Sequence, residues 1–92
     1  MSDNDVREAL KKLDGWAFEN DALSKSFSFN SFREAVSFIM RISFEAEELN
    51  HHPELVNVYA TVRISLTTHD AGNRVTDKDL ELAQRIDRIA WI

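Results

Sequence analysis

Residues 55–68 read Leu-Val-Asn-Val-Tyr-Ala-Thr-Val-Arg-Ile-Ser-Leu-Thr-Thr, and the fold turns on where this stretch bends. Val56, Val58, Ala60, Val62, Ile64 and Leu66 alternate with Asn57, Tyr59, Thr61, Arg63, Ser65 and Thr67. That period of two is the mark of a half-buried strand. One straight strand of this length would run about 46 Å. A chain of 92 residues folds to a radius of gyration of only about 12 Å. The chain must therefore reverse, and the pattern places the reversal near Ala60-Thr61, giving two strands. Neither residue is a favoured turn former, so size rather than local turn chemistry makes the argument.

The flanks then fall into place. Upstream, Asn30 to Leu49 reads as the longest helix, opened by the capping-box pattern Ser31-x-x-Glu34. Phe32, Ala35, Val36, Ile39, Ile42, Ala46 and Leu49 form its expected core face, with Phe38 and Met40 off that stripe. Apolar surface left over on a small domain points to a subunit interface. Pro53 forbids further helix and drives His52 out of the α region. Earlier still, Trp16–Glu19 and Leu23–Phe29 read as a hairpin across Asn20-Asp21. Asp3–Leu13 reads as a helix ended by Asp14-Gly15. Downstream, Asp70–Arg74 is a loop, and Thr76-x-x-Asp79 resembles a capping box with Asp in place of Glu. A last helix follows, with Leu80, Ala83, Ile86, Ile89 and Ala90 as its stripe and Trp91 near its end. The order α-β-β-α-β-β-α makes residues 1–92 one α+β domain: a four-stranded antiparallel sheet with helices packed on one face.

Composition narrows the function classes. Sixteen acidic against eleven basic residues give a net charge of −5, which argues against a nucleic-acid binder. The absence of cysteine removes disulfides, thiolate metal sites and cysteine nucleophiles. No apolar run is long enough for a membrane span, and Met1 to Lys12 has no apolar signal-peptide segment. A soluble, cytoplasmic protein is expected.

All three histidines lie between positions 51 and 69. Imidazole is the side chain whose unperturbed pKa lets it give or take a proton near pH 7. Glu47 is one turn before His51, within reach if the helix persists. A hairpin at 55–68 returns His69 toward His51 and His52, so the bend that fits the chain into its domain also gathers the imidazoles. Plainer readings stand beside this one. His51-His52 is also what a polar loop after a helix looks like, with cations favoured at its C-terminus. His69 also reads as a solvated strand end, Tyr59 as a sheet residue and Trp16 as a core aromatic. Three histidines with Glu47 match a zinc donor set in type, but no HxH or HExxH spacing is present.

Glu47-x-x-x-His51-His52-Pro53, then Tyr59, Thr67-Thr68-His69 and Asp79, resembles the signature of the pterin-4a-carbinolamine dehydratases. Gly15-Trp16, Phe27-x-Phe29, Phe32, Leu66–Gly72 and Asp79-Leu80-x-Leu82-Ala83 extend the likeness over nearly the whole chain. The resemblance implies dehydration of 4a-hydroxytetrahydrobiopterin, or a related tetrahydropterin, to the quinonoid dihydropterin. That step recycles the pterin used by aromatic amino acid hydroxylases, without metal or added cofactor. It implies His51 and His69 as acid and base, with His52 positioning substrate and sharing in proton transfer. It also implies Glu47 orienting a histidine or touching substrate, main-chain groups at Thr67 to His69 pairing with the pterin edge, and Trp16 walling the ring. Family members form dimers or dimers of dimers, and animal members double as dimerisation cofactors for a homeodomain transcription factor. The alternative to an enzyme is thus a binding or assembly module on the same fold. Leu55, Ala60-Thr61 and a Gly72–Thr76 loop one residue longer depart from animal members; none removes an acid or a base.

Overall fold

The computed structural model describes residues 1–90; Trp91, expected near the end of the last helix, lies outside the described residues. Helix α1 (Asp3–Leu10) leads into β1 (Ala17–Glu19) and β2 (Ala22–Ser28), followed by α2 (Phe32–Leu49). Then come β3 (Glu54–Val58), β4 (Thr61–Leu66), a short 3-10 turn at His69–Ala71, and α3 (Asp77–Ile89). This is the expected α-β-β-α-β-β-α order. The four strands form one antiparallel sheet ordered β1-β2-β4-β3.

The molecule measures 38 × 24 × 20 Å, too short for a straight strand over 55–68. The reversal falls one residue earlier than expected. Val58 pairs with Thr61, and Tyr59-Ala60 form the turn. Tyr59 takes φ 51, and Asn57 stabilises this bend by donating its side-chain N–H groups to Tyr59 O and Thr61 O. A two-residue turn pairs even with odd positions, which breaks the apparent alternation. Leu55 and Asn57 lie opposite Ile64 and Val62 on the core face, while Val56 and Val58 lie opposite Arg63 and Thr61 on the open face. The other hairpin turns at Asn20-Asp21 as expected, with φ 53 and 57. Left-handed backbone at both central positions is what a tight hairpin needs, and Asn and Asp tolerate it.

The core is Leu23, Val62, Ile64 and Leu66 from the sheet against Ala35, Phe38 and Ile42 of α2 and Leu82, Ala83 and Ile86 of α3. Val6, Leu13 and Trp16 close one end. Two expectations for α2 are overturned. Phe38 is fully buried, whereas Phe32 and Val36 are exposed together with Met40 and Phe44. The helix is apolar on more than one side, so periodicity alone could not tell which row the sheet would cover. Sheet packing selects Ala35, Phe38, Ile42 and Ala46 and leaves the 32-36-40-44 row in solvent. Arg85 of α3 binds Glu48 and Glu45 of α2 at 2.6 and 3.6 Å and Glu81 at 3.4 Å. Its guanidinium is held above the ordinary arginine range, first by the Glu48 hydrogen bond. Among the described residues no helix is long and apolar enough to cross a membrane.

Candidate active site

The site begins where α2 stops. Asn50 adopts left-handed backbone at φ 51. Its N–H donates to Glu47 O at 3.1 Å, and the His51 N–H donates to Ala46 O at 3.0 Å. This paired closure, with Asn where glycine is usual, ends the helix three residues before Pro53. The chain leaves it with alternating direction. His51 turns inward and is 8% exposed, while His52 turns out into solvent.

The β3–β4 hairpin then returns Thr67-Thr68-His69 beside them, and the first turn of α3 completes the wall. The result is a cleft of about 340 Å³ lined by residues 50–54, residues 67–70 and Lys78. That is the lower end of the roughly 300–1,000 Å³ typical of small-molecule sites.

A buried carboxylate anchors the interior side. Asp79 is fully buried. Its Oδ1 lies 2.5 Å from His51 Nε2, and its Oδ2 accepts from Thr68 Oγ1 at 2.8 Å and from the Thr76 N–H at 2.9 Å. The Thr68 and Thr76 hydroxyls are 2.7 Å apart. Thr68 has spent its one proton on Asp79, so Thr76 donates in that pair. Every contact on the Asp79 carboxylate is thus a donor, and His51 presents Nε2–H to it, which leaves Nδ1 uncommitted. No buried side-chain N or O lacks a partner among the described residues. Burying an ionised group is tolerable only when it is bonded in this way.

The other two histidines are also tied by one nitrogen each. His52 Nε2 lies 3.1 Å from Glu47 Oε1, both side chains being mostly exposed. His69 Nδ1 lies 2.7 Å from Asn73 Oδ1. Glu47 thus meets His52 rather than His51, because the left-handed residue at Asn50 rotates His51 off the α2 face. Each imidazole is bonded through one ring nitrogen among the described residues, and a proton-transfer site needs the other. Among the described residues no group of three His, Asp or Glu is arranged to hold one metal ion.

The remaining candidates are placed as follows. Thr67 and Thr68 both line the cleft. Thr67 donates its hydroxyl to Asp21 O at 3.0 Å, tying the first hairpin turn to the rim. The main chain of Thr68 is engaged in its own loop: its N–H donates to Arg74 O and its carbonyl accepts from Ala71 and Asn73. The structure does not bring Trp16 to the cleft. Trp16 is buried on the core side, donates Nε1–H to Asp87 Oδ2 at 3.0 Å, and packs edge-on to Phe27.

The sequence reading takes Asp79 as a helix cap and a signature residue and misses its pairing with His51. The signal was present: Asp79, Leu82, Ala83 and Ile86 share one helical stripe, and a carboxylate on a buried face needs a partner. Lys78 and Asn73 were missed too.

Comparison with known proteins agrees with the geometry. The family model described as "Pterin 4 alpha carbinolamine dehydratase" matches residues 1–89. A provisionally named pterin-4-alpha-carbinolamine dehydratase of Opitutus terrae is 54% identical over 92 residues, covering all of this chain and 95% of that protein. One of Sulfurisphaera tokodaii is 40% identical, covering 97% of this chain and 95% of that protein. A crystal structure described as a transcriptional coactivator/pterin dehydratase from Brucella melitensis superposes with a TM-score of 0.92 at 37% identity, covering 98% and 97% of the two chains. A pterin dehydratase-like RuBisCO assembly factor of the alpha-carboxysome shares the fold at a TM-score of 0.67 and 22% identity, over 83% and 87%. The family match spans the helix end, the returning hairpin and the α3 cap that build the cleft, and this chain belongs to the pterin-4-alpha-carbinolamine dehydratase family.

Proposed function

We propose that this protein dehydrates a 4a-hydroxytetrahydropterin, such as 4a-hydroxytetrahydrobiopterin, by histidine acid–base catalysis, in the recycling of tetrahydropterin used by aromatic amino acid hydroxylases. In the reaction the C4a–O bond breaks. The hydroxyl leaves as water with a proton from the protein, N5 gives up its proton, and C4a=N5 forms in the quinonoid dihydropterin. One group must donate and another accept.

The observation behind this reading is that three imidazoles border one cleft, each held by a single nitrogen. His51 with Asp79 is suited to donation, because a buried carboxylate at Nε2 compensates the charge of a ring that also carries Nδ1–H. His69, held by a neutral amide, is suited to accept. His52, held by exposed Glu47, positions substrate and shares in proton transfer. No metal or added cofactor is part of this reading.

The test is the decay of the carbinolamine ultraviolet signal, generated with a phenylalanine hydroxylase, with and without the protein and with chelator. Faster decay indifferent to chelator is expected. No acceleration would reject the reading. It would favour the second one, a coactivator-like or assembly module, which rests on the exposed row Phe32, Val36, Met40 and Phe44. We propose that the same row joins copies of the chain into dimers or tetramers.

A further inference from the structure

Asn73 stands in the loop between Gly72 and α3 at φ 61. Asparagine visits this left-handed region more readily than most non-glycine residues. The loop is closed on itself. The Thr68 N–H donates to Arg74 O at 2.9 Å, the Asn73 N–H to Thr68 O at 3.1 Å, and the Gly72 N–H to His69 O at 3.0 Å. The loop thereby holds Asn73 opposite the short turn that carries His69, with Oδ1 2.7 Å from Nδ1.

With the amide placed Oδ1 toward the ring, an atom that only accepts, Nδ1 carries the proton. In the neutral ring this leaves Nε2 as a lone pair. Which imidazole nitrogen is protonated follows from the bond the other one makes. His51 and His52 are tied the opposite way round, through Nε2 to carboxylates. The cleft therefore holds its histidines in two opposite polarities, and only His69 is set to receive a proton at Nε2.

We infer that Asn73 is a positioning residue that fixes the Nδ1–H tautomer of His69 and so makes Nε2 the proton acceptor of the dehydration. The first half rests on the loop geometry and the placement of the Asn73 amide; the second rests on the dehydratase reading. The amide also suits a base better than a carboxylate would. A carboxylate would stabilise the protonated ring and slow return of the proton between turnovers. An amide sets orientation without adding charge. The cleft around His69 already contains Asp70, Lys78, His51 and His52.

The experiment is long-range proton–nitrogen NMR of the histidine rings at a pH where they are neutral, paired with kinetics. Wild type is expected to show Nδ1–H at His69, the reverse of the tautomer a solvated imidazole ordinarily favours. Asn73→Gly keeps the left-handed backbone without strain. It is expected to return His69 to Nε2–H, leave the His51 and His52 signals in place, and lower kcat by on the order of tenfold. That is part of the roughly 10²–10⁴ that general base catalysis supplies; KM stays within about twofold. Asn73→Asp, still an acceptor, is expected to retain Nδ1–H and to move the ascending limb of the kcat profile to higher pH. An Nε2–H signal in wild type, or an unchanged tautomer in N73G, overturns the first half. A changed tautomer with unchanged kcat overturns the second. A protein without dehydratase activity still reports its tautomer, so failure of the functional reading and failure of this inference are told apart.

Discussion

Replacing Asp79 with Asn isolates what the buried carboxylate does for His51. The backbone N–H of Thr76 is a fixed donor aimed at Oδ2, and the Thr68 hydroxyl donates to the same atom. An asparagine at this position must keep its oxygen there. Its NH2 group then faces His51 Nε2, which can no longer donate and must accept. The neutral ring is driven to Nδ1–H, and protonation of both nitrogens would set two donors against each other. If His51 supplies the proton to the leaving hydroxyl, D79N should lose about 10²–10⁴ in kcat, about 2.7–5.4 kcal/mol of barrier. Stability should fall far less. Hydrogen bonds to a charged group are worth about 1.5–3 kcal/mol against about 0.5–1.5 for neutral ones. A loss of about 1–2 kcal/mol in a domain this size lowers Tm by about 4–16 °C. A 92-residue chain stable by about 5–14 kcal/mol survives that. Carbinolamine decay gives kcat and thermal unfolding gives Tm. A folded D79N that turns over like wild type would refute the role of the Asp79–His51 pair in catalysis.

Three further outcomes separate the histidines and the helix faces. His69→Ala and His51→Ala should each cost about 10²-fold or more in rate. Urea unfolding should show the exposed His69 change within about 0.5 kcal/mol of wild type and the buried His51 change clearly destabilised, because it takes a partner from a buried carboxylate; equal stabilities would contradict the burial. Glu47→Gln removes an exposed ion pair, so it should cost at most about 1 kcal/mol in stability while altering KM more than kcat in steady-state assays; a loss as large as that of D79N would move the key carboxylate to Glu47. Phe44→Glu, at a position 68% exposed, should leave Tm nearly unchanged yet shift sedimentation toward the monomer, and a wild-type chain that sediments as a monomer would discard the self-association reading.

The order of elements was legible because each boundary had its own local cause. Asn20-Asp21 bends a hairpin, Ser31 and Thr76 cap helices, and the length of 55–68 demands a turn. What was not legible depended on the third dimension. Helix α2 offers two apolar rows, and only the sheet decides that Phe38 goes in and Phe32 stays out. The parity switch at Tyr59-Ala60 needs the register, which the residues 55–68 do not state. The same holds at the site. The histidines were visible because imidazoles are rare and clustered. Their partners were not, since sequence nearness suggested Glu47 for His51, whereas the left-handed Asn50 hands His51 to Asp79, twenty-eight positions away.

One carboxylate serves two ends of the site. Asp79 closes the capping box of α3 through Oδ2 and holds His51 through Oδ1. The end of α2, the end of β4 through Thr68, and the start of α3 therefore meet at a single buried group. Loosening any of the three should move His51. His69 is tied instead to an exposed five-residue loop through Asn73, and His52 to a solvent-exposed glutamate. The His51 imidazole is thus built into the core, while His69 and His52 stand on exposed segments. Changes at the exposed Glu47 and Lys78 should accordingly leave the fold intact, and a change at Asp79 should cost far more in turnover than in stability.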